Sequence, residues 1–111
     1  MNTFPAPERQ FLYRLQAGRA DFRKTGPNKE EIPVLQEHYD RLKEFTKKGI
    51  VILAGLTMKT DGNAFGIVIF RADSEDTAHD FMNGDPAVKK GVFIATLFPF
   101  QVALVQGQTA D

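Results

Sequence analysis

HYDRLKEFTKKGIVILAG, residues 38–55, decides how the whole chain reads. Leu35, Tyr39, Leu42 and Phe45 recur at the period of one helix face. His38 falls three residues after Leu35 and four before Leu42, so it shares that face. Lys47 and Lys48 close the last turn, where cations suit the helix dipole, and Gly49 suits a left-handed cap. The run Ile50-Val51-Ile52-Leu53-Ala54 then reads as a strand covered on both faces. This reading sets a titratable ring at the edge of a packed core.

Upstream, residues 1–9 hold Pro5 and Pro7 and read as a flexible arm. Gln10–Gln16 alternates, with Phe11, Tyr13 and Leu15 on one side and Leu12 and Arg14 on the other, which predicts the first strand. The polar stretch from Ala17 to Asn28 reads as a loop forming a lid or rim. Asn28 and Glu31 have the spacing of a capping box, but Pro33 argues for a later start, so the first helix is placed at about 32–48.

Downstream, Ile50–Leu56 and Phe65–Arg71 are predicted strands joined by a hairpin whose turn is Asp61-Gly62. Ser74 followed by Glu75 and Asp76 starts a second helix, which runs to about Asn83 with Ala78, Phe81 and Met82 as its apolar positions. Asp85-Pro86 reads as the N-cap and first residue of a helical turn over 86–90. A last strand covers Val92–Phe98 and extends beyond Pro99 into Phe100–Val105. Residues 106–111 read as a flexible tail.

The order β-α-β-β-α-β defines an α+β, ferredoxin-like fold with a four-stranded antiparallel sheet, spanning residues 10–105. Two helices cover one sheet face, yet strands two, three and four are apolar on both. The second face calls for a second copy of the chain in a two-fold homodimer.

Composition narrows the function classes. The 111 residues carry 14 basic and 14 acidic side chains, 42% hydrophobic residues and no cysteine. That balance gives no basic footprint for nucleic acid, and cysteine chemistry is excluded. No apolar run approaches the roughly 18 residues of a membrane span, and residues 1–9 lack the features of a signal peptide, so a cytoplasmic location is expected. Ser74, the only serine, is accounted for as a helix cap, which removes a Ser-His-Asp triad. His38 and His79 have no metal-ligand spacing, so no metal site is expected.

What remains is His38 with Asp85. The fold brings the face of the first helix and the segment after the second helix to the same sheet edge. A carboxylate beside an imidazole fixes its tautomer and stabilises the imidazolium, the usual construction of a general acid/base near neutral pH. Taken alone, His38 reads as an inert boundary histidine and Asp85 as a helix start; the combination favours chemistry.

The succession of His38, Gly49, Ala54-Gly55, the Ser74-Glu75 helix start, Asp85-Pro86 and Phe98-Pro99-Phe100 resembles the YCII-related family. The resemblance implies a dimeric α+β barrel in which His38 and Asp85 match the family's catalytic histidine and aspartate. It also implies cofactor-free elimination or isomerisation of a small metabolite, such as a substituted aromatic or enolisable compound. Tyr13, Arg14 and Gly55 are candidate substrate contacts, with Tyr13 and Arg14 pointing to opposite faces. Two alternatives stay open: a non-enzymatic dimeric module binding a small molecule in the same cleft, and a cofactor-free monooxygenase.

Overall fold

The computed structural model describes residues 9–58 and 63–107. Strands β1 (Arg9–Ala17), β2 (Val51–Leu56), β3 (Gly66–Ala72) and β4 (Phe93–Phe100) form one antiparallel sheet in the order β2-β3-β1-β4. Helices α2 (Glu31–Lys47) and α3 (Glu75–Asn83) pack on one face, joined by the short helices α1 (Phe22–Thr25) and α4 (Pro86–Lys89). The two long helices with the strands give the ferredoxin-like split βαβ.

The inward side chains of β1 alternate as its sequence requires, and Phe11, Tyr13 and Leu15 are buried. Register sets Tyr13 beside Val68 of β3 and Leu97 of β4. The core between sheet and helices is aromatic at its centre. Phe70 stacks on Phe81 at 4.7 Å and meets Tyr13 edge-on at 5.6 Å.

Helix α2 begins earlier than its sequence suggests. Asn28 and Glu31 form a reciprocal box, each backbone amide donating to the other's side chain at 2.9 Å. Pro33 lies in the first turn, where the amide it lacks would have had no intrahelical acceptor, so it does not delay the start. The inward face is Val34, Leu35, His38, Arg41, Leu42 and Phe45; Tyr39, expected on that face, is 61% exposed.

The C-terminus of α2 is a Schellman motif. The Ile50 amide donates to the Phe45 carbonyl at 2.9 Å and the Gly49 amide to Thr46 at 3.1 Å, with Gly49 at φ 82°. A Cβ at position 49 would meet nothing within 4 Å, so only backbone strain opposes a side chain there. Gly49→Val should therefore cost about 1–2 kcal/mol in a denaturant melt. An unchanged midpoint would mean that the left-handed cap contributes nothing.

Three expectations need correction. Within one chain, strand β2 is not buried on both faces: only Val51 is buried, while Leu53 and Leu56 are exposed. An unbroken apolar run looks the same at a sheet edge as at its centre, and the strand order puts β2 at the edge. The 17–28 stretch is not all loop, because α1 forms there and buries Phe22. Strand β4 runs through Pro99 to Phe100 and stops, with residues 101–105 outside the ladder. Pro99 is tolerated because β4 is an edge strand with one side free of ladder hydrogen bonds. The antiparallel pairing of β2 and β3 matches the expected hairpin, whose turn at Asp61-Gly62 lies outside the described residues.

Candidate active site

Asp85 is a carboxyl with no exposed surface, and its position follows from local sequence. It caps α4 by accepting from the Ala87 amide at 3.0 Å, a role that the Asp-Pro pair specifies. The same carboxyl accepts from the Tyr13 hydroxyl at 2.7 Å and meets Nδ1 of His38 at 2.8 Å. Three elements, β1, α2 and α4, thus converge on one side chain.

Burial alone pushes the Asp85 carboxyl up, but His38, the Tyr13 hydroxyl and the Ala87 amide together outweigh it and hold the group below the usual carboxylate range. Asp85 is therefore ionised near neutrality and can only accept. The hydrogen on its contact with His38 must sit on Nδ1, which leaves Nε2 of a neutral ring unprotonated. Nε2 makes no hydrogen bond among the described residues. Burial and the Asp85 charge push the Tyr13 phenol far above its ordinary value, so Tyr13 stays a donor.

His38 forms part of the wall of a cavity of about 310 Å³ between α2, the sheet and α1. The remaining wall is apolar: Leu15, Phe22, Leu35, Val68 and Phe93 line it, and the ring of Phe93 meets His38 edge-on at 5.7 Å. Tyr39 and Leu56 stand exposed at its edge. Gly55 contributes only backbone, and a Cβ added there would meet nothing within 4 Å, so the space beside β2 is open.

Of the five residues singled out from sequence, the structure joins His38, Asp85 and Tyr13 in one hydrogen-bonded group and puts Gly55 in the cavity wall. Tyr13 does not face a ligand: it is wholly buried behind Asp85. Arg14 points to the opposite sheet face, where its guanidinium lies 5.8 Å from the Phe98 ring centroid. Arg19 escaped notice from sequence. It donates twice to Glu31 (2.7 and 3.0 Å), and to Asp21 and the Gly26 carbonyl, each at 2.8 Å. Its guanidinium also lies over Phe22 at 5.2 Å. Arg19 latches the 17–28 segment so that Phe22 closes one end of the cavity; the capping box at Glu31 was the signal available, without a hint of its second partner. Among the described residues no group of three or more His, Cys, Asp or Glu side chains could hold a metal, and no helix is long and apolar enough to cross a membrane.

The site is thus a half-buried imidazole on a buried carboxylate, beside an apolar cavity of a ferredoxin-like α+β fold. The YCII-related domain family matches residues 18–101, and the chain belongs to that family. No curated protein matches it in sequence. Among solved structures it is similar to 5-chloro-2-hydroxyhydroquinone dehydrochlorinase from Burkholderia phenoliruptrix AC1100, seen with 2,5-dihydroxybenzoquinone. That likeness has 20% identity and a TM-score of 0.61, over 83% of this chain and 93% of the other. An uncharacterized protein from Thermotoga maritima is similar at 11% identity and a TM-score of 0.52, over 85% and 99% of the two chains. A cofactor-independent oxygenase from Streptomyces nogalater is similar at 12% identity and a TM-score of 0.46, over 92% and 99% of the two chains.

Proposed function

We propose that this protein is a cofactor-independent acid/base enzyme for a small, largely apolar metabolite such as a hydroxylated aromatic or enolisable carbonyl compound. The observation that carries this reading is the bare Nε2 of His38 beside an apolar cavity, with Nδ1 tied to an ionised, buried Asp85. Nε2 takes a proton from an acidic O–H or C–H of the substrate. The imidazolium so formed is balanced by the Asp85 carboxylate. Returning the proton to a different atom completes an isomerisation. Departure of an anionic leaving group completes an elimination, after which water takes the proton. The named dehydrochlorinase shows that a similar fold accommodates a hydroxylated ring.

The test is an assay of halogenated and hydroxylated monocyclic aromatics and small enolisable ketones with the purified protein, reading halide release, absorbance change and binding. Turnover of one member is expected. Saturable binding in the cavity without turnover of any member would favour the accessory binding module instead.

The same reading includes a homodimer. On the sheet face away from the helices, Leu53, Ile94, Phe98 and Phe100 are exposed, large apolar side chains of the kind that mark an interface. A second copy placed sheet to sheet would cover it. Light scattering at micromolar concentration should give twice the chain mass; a stable monomer would rule the dimer out.

A further inference from the structure

The cavity beside His38 has an open end and a shut end. Tyr39, Leu56 and Ala54 line the open end and are exposed there. The shut end is Phe22, 7% exposed, whose ring meets Phe93 edge-on at 5.8 Å. Phe93 in turn meets the imidazole, so two ring contacts along one wall lead from His38 to Phe22. Phe22 also packs with Val34, Ala87 and Val92, a core cluster separate from the main one. Its ring is a partition between that cluster and the cavity.

The partition is fixed, although the segment that carries it lies outside the sheet and the long helices. The Gly18 amide donates to the Val92 carbonyl at 2.9 Å, and a Cβ at 18 would collide with the Gly91 carbonyl, so backbone meets backbone there. Arg19 ties the start of the segment to its end, through the Gly26 carbonyl at 2.8 Å and Glu31 at 2.7 Å. The same guanidinium lies over the Phe22 ring at 5.2 Å, and the Gly26 amide closes α1 on the Phe22 carbonyl at 2.7 Å. A ring clamped this way yields little to a longer ligand, because close-packed interiors resist even one extra methylene.

The space in front of it is small. About 310 Å³ lies at the lower end of the roughly 300–1,000 Å³ usual for ligand pockets. Among the described residues only His38 and Tyr39 bring a polar side-chain atom to its wall. A ligand whose hydroxyl sits on Nε2 of His38 has two directions for its body: inward to Phe22, or out through the mouth into water. Apolar surface favours the inward one.

We propose that Phe22 is the specificity-determining residue of this site: a fixed end wall, clamped by Arg19, that confines the ligand to one aromatic ring. The limit rests on the acid/base reading only for the end of the ligand that His38 holds.

Phenol and β-naphthol are the probes, since they share the hydroxyl and differ by one ring. Their dissociation constants are measured by calorimetry for the wild type and Phe22→Ala. The ratio of the two constants should shift toward β-naphthol by roughly tenfold or more in the variant, since a single misfit methylene is already worth about 10–200-fold. A merely structural Phe22 would weaken both probes alike and leave the ratio where it was, and that result overturns the proposal. If Phe22→Ala does not fold, Phe22→Leu is read in its place, with a smaller shift of the same sign expected. Loss of the fold in both also overturns it, because Phe22 would then be core and not wall, as does a failure of every protein to bind either probe. Calorimetry needs no turnover. A switched ratio in a protein that turns over nothing would refute the enzymatic reading and leave the wall standing; turnover of one-ring compounds with an unchanged ratio would do the reverse.

Discussion

His38→Gln is expected to lower turnover by about 10²–10⁴-fold while leaving the protein folded. Glutamine has nearly the reach of histidine, and its amide can donate to Asp85, so the buried carboxylate keeps a partner in place of the 2.8 Å contact from Nδ1. An amide cannot take up a proton near neutral pH, so the loss falls on the chemical step. Steady-state kinetics beside a thermal melt checks both halves. A variant that keeps wild-type turnover would remove His38 from the reaction, and one that unfolds would make the ring a structural element first.

Asp85→Ala should have the largest effect on stability, on the order of 3–5 kcal/mol. Three groups lose their acceptor together: Nδ1 of His38, the Tyr13 hydroxyl and the Ala87 amide. Each of the two orphaned side-chain donors costs about 1–2 kcal/mol, and loss of the N-cap bond to the Ala87 amide adds about 1. Against a total stability of roughly 5–15 kcal/mol, that loss decides whether the chain folds at all near body temperature. Asp85→Asn, which retains one accepting oxygen and the cap, should cost clearly less. Equal midpoints for alanine and wild type in a urea titration would show that the carboxyl is dispensable to the fold.

The same carboxyl predicts acid sensitivity. Its folded-state value is depressed, so on acidification the unfolded chain takes up the proton first, near the ordinary carboxylate value of about 4. The stability it contributes is fully present above that value and is lost as pH falls through the folded one. Glu31 follows the same sign, held at about 2 by Arg19 and by the Asn28 amide. Stability measured from about pH 6 downward should fall less steeply in Asp85→Asn than in the wild type. Parallel curves would assign the acid transition to other groups.

Where sequence was legible, the signal was local. Ser74 before Glu75-Asp76, Asp85 before Pro86 and Gly49 after a lysine pair each name a helix boundary through the chemistry of the neighbouring residues, and each cap is in place. The alternation in β1 separated Tyr13 from Arg14 but could not say which face the helices cover. An inward tyrosine needs a buried acceptor, and asking for one would have linked Tyr13 to Asp85 instead of to a substrate. Arg19, Arg41 and Phe22 were illegible for another reason: their partners lie on other elements, and an arginine facing a core looks in sequence like any solvated cation. The edge position of β2 was hidden because an apolar run does not record how many neighbours its strand has.

The convergence on Asp85 also bears on synthesis. Its partners precede it by 72 and 47 residues, so the first strand and the long helix leave the ribosome well before the carboxyl that joins them. Chains emerge at about 5–20 residues per second, which gives the N-terminal half seconds in which the Tyr13 phenol and the His38 ring are still wet. The site can close only when residue 85 arrives, and β4 follows it. A nascent chain cut short of the Asp-Pro turn has no acceptor for either group, so the hydrogen-bonded cluster forms late and in one step, with docking of the last quarter of the polypeptide.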